Sequence, residues 1–167
     1  MEEIEYKKIR DAYKPSRVKF IFVLESPPAN GTYFYSTDNG EGSSLYRSMM
    51  RFVLKLQSLP ATKSDGLRMF QKSGYFIIDS TYTPINDMKK KLRDIEILSN
   101  YNNLVSDLKN SIVKNKVSVV LIKANVCSLL EKRLLKDGFN VVNDGLVIPF
   151  PGSGQQVNFC EKINRLI

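Results

Sequence analysis

The chain has 167 residues, 43% apolar and 25% charged, which suits one domain around a single sizeable core and excludes a disordered chain. Its 25 Lys and Arg against 17 Asp and Glu leave a net charge of +8, a balance compatible with a polyanionic partner such as DNA. With no His, two Cys and no CxxC, a His-dependent relay is excluded and zinc or an iron-sulfur cluster lacks a ligand set, so neither metal nor cofactor is expected.

In chain order, residues 1–13 read as a loosely amphipathic helix through Ile4, Tyr6, Ile9 and Tyr13, stopped by Lys14-Pro15. Val18 to Leu24 is an almost unbroken apolar run, as expected of a strand buried on both faces. The loop from Glu25 to Gly42 is longer than a connection needs, which points to function. Ser43 or Ser44 can cap a helix that carries Leu45, Met49, Phe52, Val53 and Leu56 up to Leu59-Pro60. After a polar link and Leu67 to Phe70, a second strand is expected at Tyr75 to Ile78, leaving through DSTYTPIND.

The basic stretch KKKLRD precedes a helix expected over residues 97–114. Val117 to Ile122 reads as a third strand, and Val126 to Leu135 as a helix closed by Gly138. Phe139 to Val142 and Leu146 to Phe150 flank Asn143-Asp144-Gly145, either a tight hairpin or a link between strands that do not pair. PGSGQQ leads into a last helix. Cys127 and Cys160 sit among apolar residues and are expected to be buried free thiols. No apolar run reaches the ~20 residues of a membrane span, and MEEIEYKKIR lacks a signal-peptide core, so a cytoplasmic protein without membrane contact is expected.

The alternation implies a three-layer α/β/α sandwich with a mostly parallel sheet of four to five strands, formed by one domain over residues 1–167. Ligands of such sheets sit beyond the carboxyl ends of the strands. Three loops rich in Pro, Gly, hydroxyls and rings leave apolar strands there: ESPPANGTYFY, DSTYTPIND and PFPGSGQQ.

This order of motifs resembles the uracil-DNA glycosylase superfamily. LESPP is similar to the GEAPG turn of its iron-sulfur branch, with Glu25 at the acidic position; Tyr33-Phe34-Tyr35 falls where a ring stacks the extruded base. DSTYTPIN resembles the motif ending Pro-x-Asn, at Pro84 and Asn86, with Asp79 near the base-reading amide. IPFPGSGQQ stands where the family has His-Pro-Ser. Lacking that His and a four-Cys set, the chain resembles a cluster-free member, in which the backbone N–H groups of Gly152, Ser153 and Gly154 can take over as donors to an oxyanion.

The resemblance implies a glycosylase that hydrolyses the N-glycosidic bond of a deaminated or damaged base in DNA. Glu25 either places the attacking water or caps nearby backbone N–H groups. Each of Tyr33, Phe34 and Tyr35 either stacks a base or packs on the core. Asp79 is either a base reader or a turn residue; ionised, it only accepts hydrogen bonds and favours a ring with N–H donors. Lys89, Lys90, Lys91 and Arg93, with Arg47, Arg51, Lys123 and Gln155, are candidates for phosphate contacts, or form a solvated face. Two other readings stay open: a non-catalytic member that binds nucleic acid or protein, and an enzyme acting on a free nucleotide.

Overall fold

The computed structural model describes residues 1–38, 43–112 and 116–167. Gly40, Gly42 and Lys114, which the sequence reading placed in the long loop and at a helix end, lie outside the described residues. Among the described residues the strands are β1 (Phe20–Leu24), β2 (Tyr75–Asp79), β3 (Ser118–Leu121) and β4 (Asn140–Val141). All pairings are parallel, in the order β2-β1-β3-β4. The helices are α1 (Glu3–Asp11), α2 (Ser44–Ser48), α3 (Lys63–Lys72), α4 (Lys90–Ser99), α5 (Tyr101–Ser111), α6 (Ala124–Lys136) and α7 (Gln156–Ile163).

Apolar alternation puts helices on both faces. Phe22 and Tyr75 share one face, where Phe70 of α3 packs on both. Phe76 points the other way, beneath the Arg10 guanidinium of α1, and Arg10 in turn pairs with Asp107 of α5. Helix α4 touches α5 and α6 and completes that second layer. One cluster of buried side chains runs through the sheet and both helix layers.

Several boundaries depart from the sequence reading for identifiable reasons. Ser43 is the cap of α2, its Oγ accepting from the Tyr46 N–H at 3.0 Å, but the helix passes into a π-helical turn at Met49–Val53 instead of running to Leu59. Helix α3 was not expected from its polar sequence; Thr62 caps it, accepting from the Asp65 N–H at 3.1 Å. The single helix expected over 97–114 is two, α4 and α5, joined at Asn100. The hairpin alternative is resolved: Val141 pairs with Val119, and Ile148 bridges Ile122, so the two segments each run parallel to β3. Between them the Asn143 side chain imitates a strand, accepting from the Leu121 N–H at 2.7 Å and donating to its carbonyl at 2.9 Å. Gly74, at φ +82° between α3 and β2, is required there, because a Cβ would lie 2.9 Å from the Arg17 carbonyl oxygen.

The connection leaving β1 passes over the α3 face, whereas those leaving β2 and β3 pass over the α5 and α6 face. The neighbouring strands β1 and β3 therefore send their chains to opposite sides, and a crevice opens between their carboxyl ends.

Candidate functional site

That crevice is a cavity of about 540 Å³, within the roughly 300–1,000 Å³ range of small-molecule sites. Its wall draws on all three strand-end loops: Glu25 to Pro28 after β1, Asp79 and Asn86 at and after β2, and Lys123 and Phe150 beyond β3. Tyr33, Phe34, Leu45 and Ile77 are among its apolar lining residues.

Glu25 is the first residue after β1, and its side chain is 6% exposed. A carboxylate so placed needs donors. The Lys123 ammonium donates to Oε2, the Asn125 amide donates to Oε1 at 2.5 Å, and Arg93 Nη1 stands 3.8 Å from the same oxygen. Lys123 and Asn125 open α6, so the acid also lies at the positive end of that helix. Lys123 adopts φ +92° and ψ 139°, a conformation costly for any residue with a Cβ. Its N–H meanwhile donates to the Ile148 carbonyl at 2.8 Å, so the strained backbone is held by the sheet extension.

Asp79 ends β2 opposite Leu24 and is 3% exposed. Its Oδ2 is buried with no hydrogen-bond partner among the described residues. Burial pushes the carboxyl up to about 7, partly opposed by the Arg10 charge. A carboxyl raised that far takes up its proton much more readily than an ordinary one, and in the protonated form it donates as well as accepts. This revises the expectation of an acceptor-only Asp79. The Tyr33 hydroxyl is a second buried group without a partner among the described residues, and burial followed by the Asp79 charge raises its pKa.

The two loops are stitched together. Ser80 Oγ and the Thr81 N–H donate to the Glu25 carbonyl at 2.9 and 3.2 Å, and Asn86 Oδ1 accepts from the Ala29 N–H at 2.9 Å. Lys63 of α3, almost fully buried, donates to the Tyr33 carbonyl at 3.1 Å and to the Ser36 carbonyl. Burial lowers its pKa. This internal cation fixes the aromatic segment from behind.

The three rings part company. Tyr33 and Phe34 border the cavity, while Tyr35 turns to the free edge of β2, where its hydroxyl accepts from the Ile77 N–H at 2.7 Å. Tyr35 therefore seals a strand edge instead of meeting a ligand. Gly152 donates its N–H to the Phe150 carbonyl at 2.8 Å, which removes it as a ready oxyanion donor. Ser153 and Gly154 form an exposed turn with φ +50° and +80°; of this loop it is Phe150, half-exposed at the rim, that reaches the cavity.

Lys89, Lys90, Lys91 and Gln155 are exposed, as a solvated or phosphate-facing surface requires, and so are Arg47 and Arg51. Arg93 and Lys123 differ: both turn inward to Glu25. The sequence reading missed Asn125, Phe150 and Lys63. Only Asn125 had a usable signal, an amide in the first turn of the helix that follows β3. Among the described residues no group of His, Cys, Asp and Glu could hold a metal ion, and no helix is long and apolar enough to cross a membrane. Cys127 is buried and Cys160 half-buried, and both are free thiols.

Compared with known proteins, the chain matches no protein-family model, no curated protein and no solved structure.

Proposed function

We propose that the cavity binds a nucleobase swung out of DNA and that the protein is a uracil-DNA glycosylase-like enzyme, hydrolysing the N-glycosidic bond of a deaminated or damaged base. The observation that carries this reading is that Glu25, Tyr33, Phe34, Asp79 and Asn86 border one cavity at the strand ends. A flat ring entering between Phe34 and Phe150 gains stacking worth about 1–3 kcal/mol. Asp79, with its unused oxygen, meets the edge of the ring. In its protonated form it also donates toward the departing base, a task that falls to a His in the resembled family. Glu25, held by Lys123 and Asn125, orients a water beneath the sugar. The water oxygen bonds to the sugar carbon, its proton passes to Glu25, and the base leaves with the electron pair of the broken C–N bond. The exposed Lys89, Lys90 and Lys91 supply phosphate contacts.

The experiment is base release from oligonucleotides carrying uracil, hypoxanthine or xanthine, or a mismatch. Release by the wild type and its loss in Glu25→Gln support the reading; no release above background from any substrate rejects it. One observation favours a second reading, binding without hydrolysis: both Glu25 oxygens already have donors. In that case oligonucleotide affinity persists in Glu25→Gln and no base is released.

A further inference from the structure

A second concavity lies at the opposite end of the sheet. It measures about 450 Å³ and is lined by Lys14, Ser16, Arg17, Lys19, Gln71 and Lys72. Lys19 immediately precedes β1, and Lys72 lies shortly before β2, so this pocket is separated from the cleft by the length of the strands. Five residues span roughly 16 Å.

Four cations and no acid make up the charged part of this lining among the described residues. Arg17, Lys19 and Lys72 are exposed, and none of the four forms an ion pair with a described acid. Like charges gathered in a concave site repel one another unless an anion enters. The frame that gathers them is rigid. Gln71 Nε2 donates to the Lys14 carbonyl at 2.9 Å, tying the KPSRVK segment to α3, and the Lys19 N–H donates to the Gly74 carbonyl at 2.7 Å. The absent side chain at Gly74 leaves room for the Lys19 stem, whose Cγ lies 2.8 Å from where a Cβ would be. Lys14 Nζ is held by the Asn110 carbonyl at 2.8 Å and keeps two further N–H donors.

We infer that this pocket is an anion site for a compact, multiply charged phosphate group, such as a diphosphate or triphosphate. A concave cluster suits several charges concentrated within one small group, whereas a nucleic-acid backbone spreads its charges along a line and calls for a row of cations. Arg17 provides the planar fork for two phosphate oxygens, Lys14, Lys19 and Lys72 provide point charges, and Ser16 provides a neutral donor, while the Gln71 amide is engaged by the Lys14 and Ala12 carbonyls and serves the frame. The inference is independent of the reaction assigned to the cleft.

The test is calorimetric titration of the full chain with sodium pyrophosphate, and separately with a single-stranded oligonucleotide. Pyrophosphate is expected to bind saturably at one site, with affinity falling as salt rises. The surface double variant Arg17→Gln/Lys19→Gln should lose roughly tenfold or more of that affinity, while Lys89→Gln/Lys90→Gln/Lys91→Gln keeps it. Circular dichroism spectra matching the wild type establish that both variants fold. Three results would each overturn the inference: unchanged pyrophosphate affinity in the double variant, no saturable pyrophosphate binding, or loss of oligonucleotide affinity alone.

Discussion

Glu25 and Lys123 form an ion pair across the crevice between β1 and β3, each placed just beyond the end of its strand. The pair joins the two chain segments that diverge to opposite faces of the sheet, and its lysine sits in a strained backbone conformation. Removing the side chain and removing the strain are separable.

Lys123→Ala and Lys123→Gly both delete the ammonium, but only glycine is comfortable at φ +92°. Urea denaturation should find Lys123→Gly more stable than Lys123→Ala by about 1–3 kcal/mol. Equal stabilities would show that the backbone there carries no strain.

Asp79 gives stability a pH dependence of definite sign. Its folded pKa, about 7, lies above the ordinary value of 3.8, so the folded state binds the proton more tightly than the unfolded chain does. The stabilisation it contributes is fully present below about pH 4 and is lost as pH rises through 7. Asp79→Asn should flatten the fall over that window and exceed the wild type in stability at pH 8 by a few kcal/mol, at about 1.4 kcal/mol per pKa unit. With no His in the chain, this inflection has no histidine to compete with. An unchanged slope in the Asn variant, followed by thermal melts across pH, would contradict it.

Tyr33 and Tyr35 are two residues apart and should respond oppositely to loss of the hydroxyl. Tyr35→Phe abandons the Ile77 N–H at the β2 edge and should cost about 1–3 kcal/mol. Tyr33→Phe removes a buried hydroxyl without a partner among the described residues and should be neutral or mildly stabilising. Chemical denaturation of the two variants distinguishes them, and a costlier Tyr33→Phe would overturn the assignment.

The strands were legible because FIFVL, YFIID and SVVL are apolar runs too short for anything else, and the acids that break the first two mark where the sheet ends. Glu25 and Asp79 could be singled out on that ground. Arg93 looked like part of a solvated charge run, yet it stands four residues before the buried Ile97 and so shares its inward face. The pairing of Lys123 and Asn125 with Glu25 was hidden for a different reason. A positive φ on a lysine leaves no mark in composition or spacing, and the partner they meet lies about a hundred residues away in sequence. Tyr35 was misleading because a ring in a loop reads alike whether it faces a ligand or covers a strand edge. Helix α3 escaped because its apolar content is little more than Leu67, Met69 and Phe70, and only its Thr62 cap signalled it.

In the proposed function Asp79 faces the bound base. The direct measurement is the carboxyl ¹³C titration of Asp79, alone and with an oligonucleotide carrying a modified base on a non-hydrolysable bond. Alone, the carboxyl should titrate near pH 7. With the oligonucleotide bound, the midpoint should be displaced, because a ring in hydrogen-bonding contact favours one protonation state. A bound complex with an unmoved Asp79 titration would contradict it.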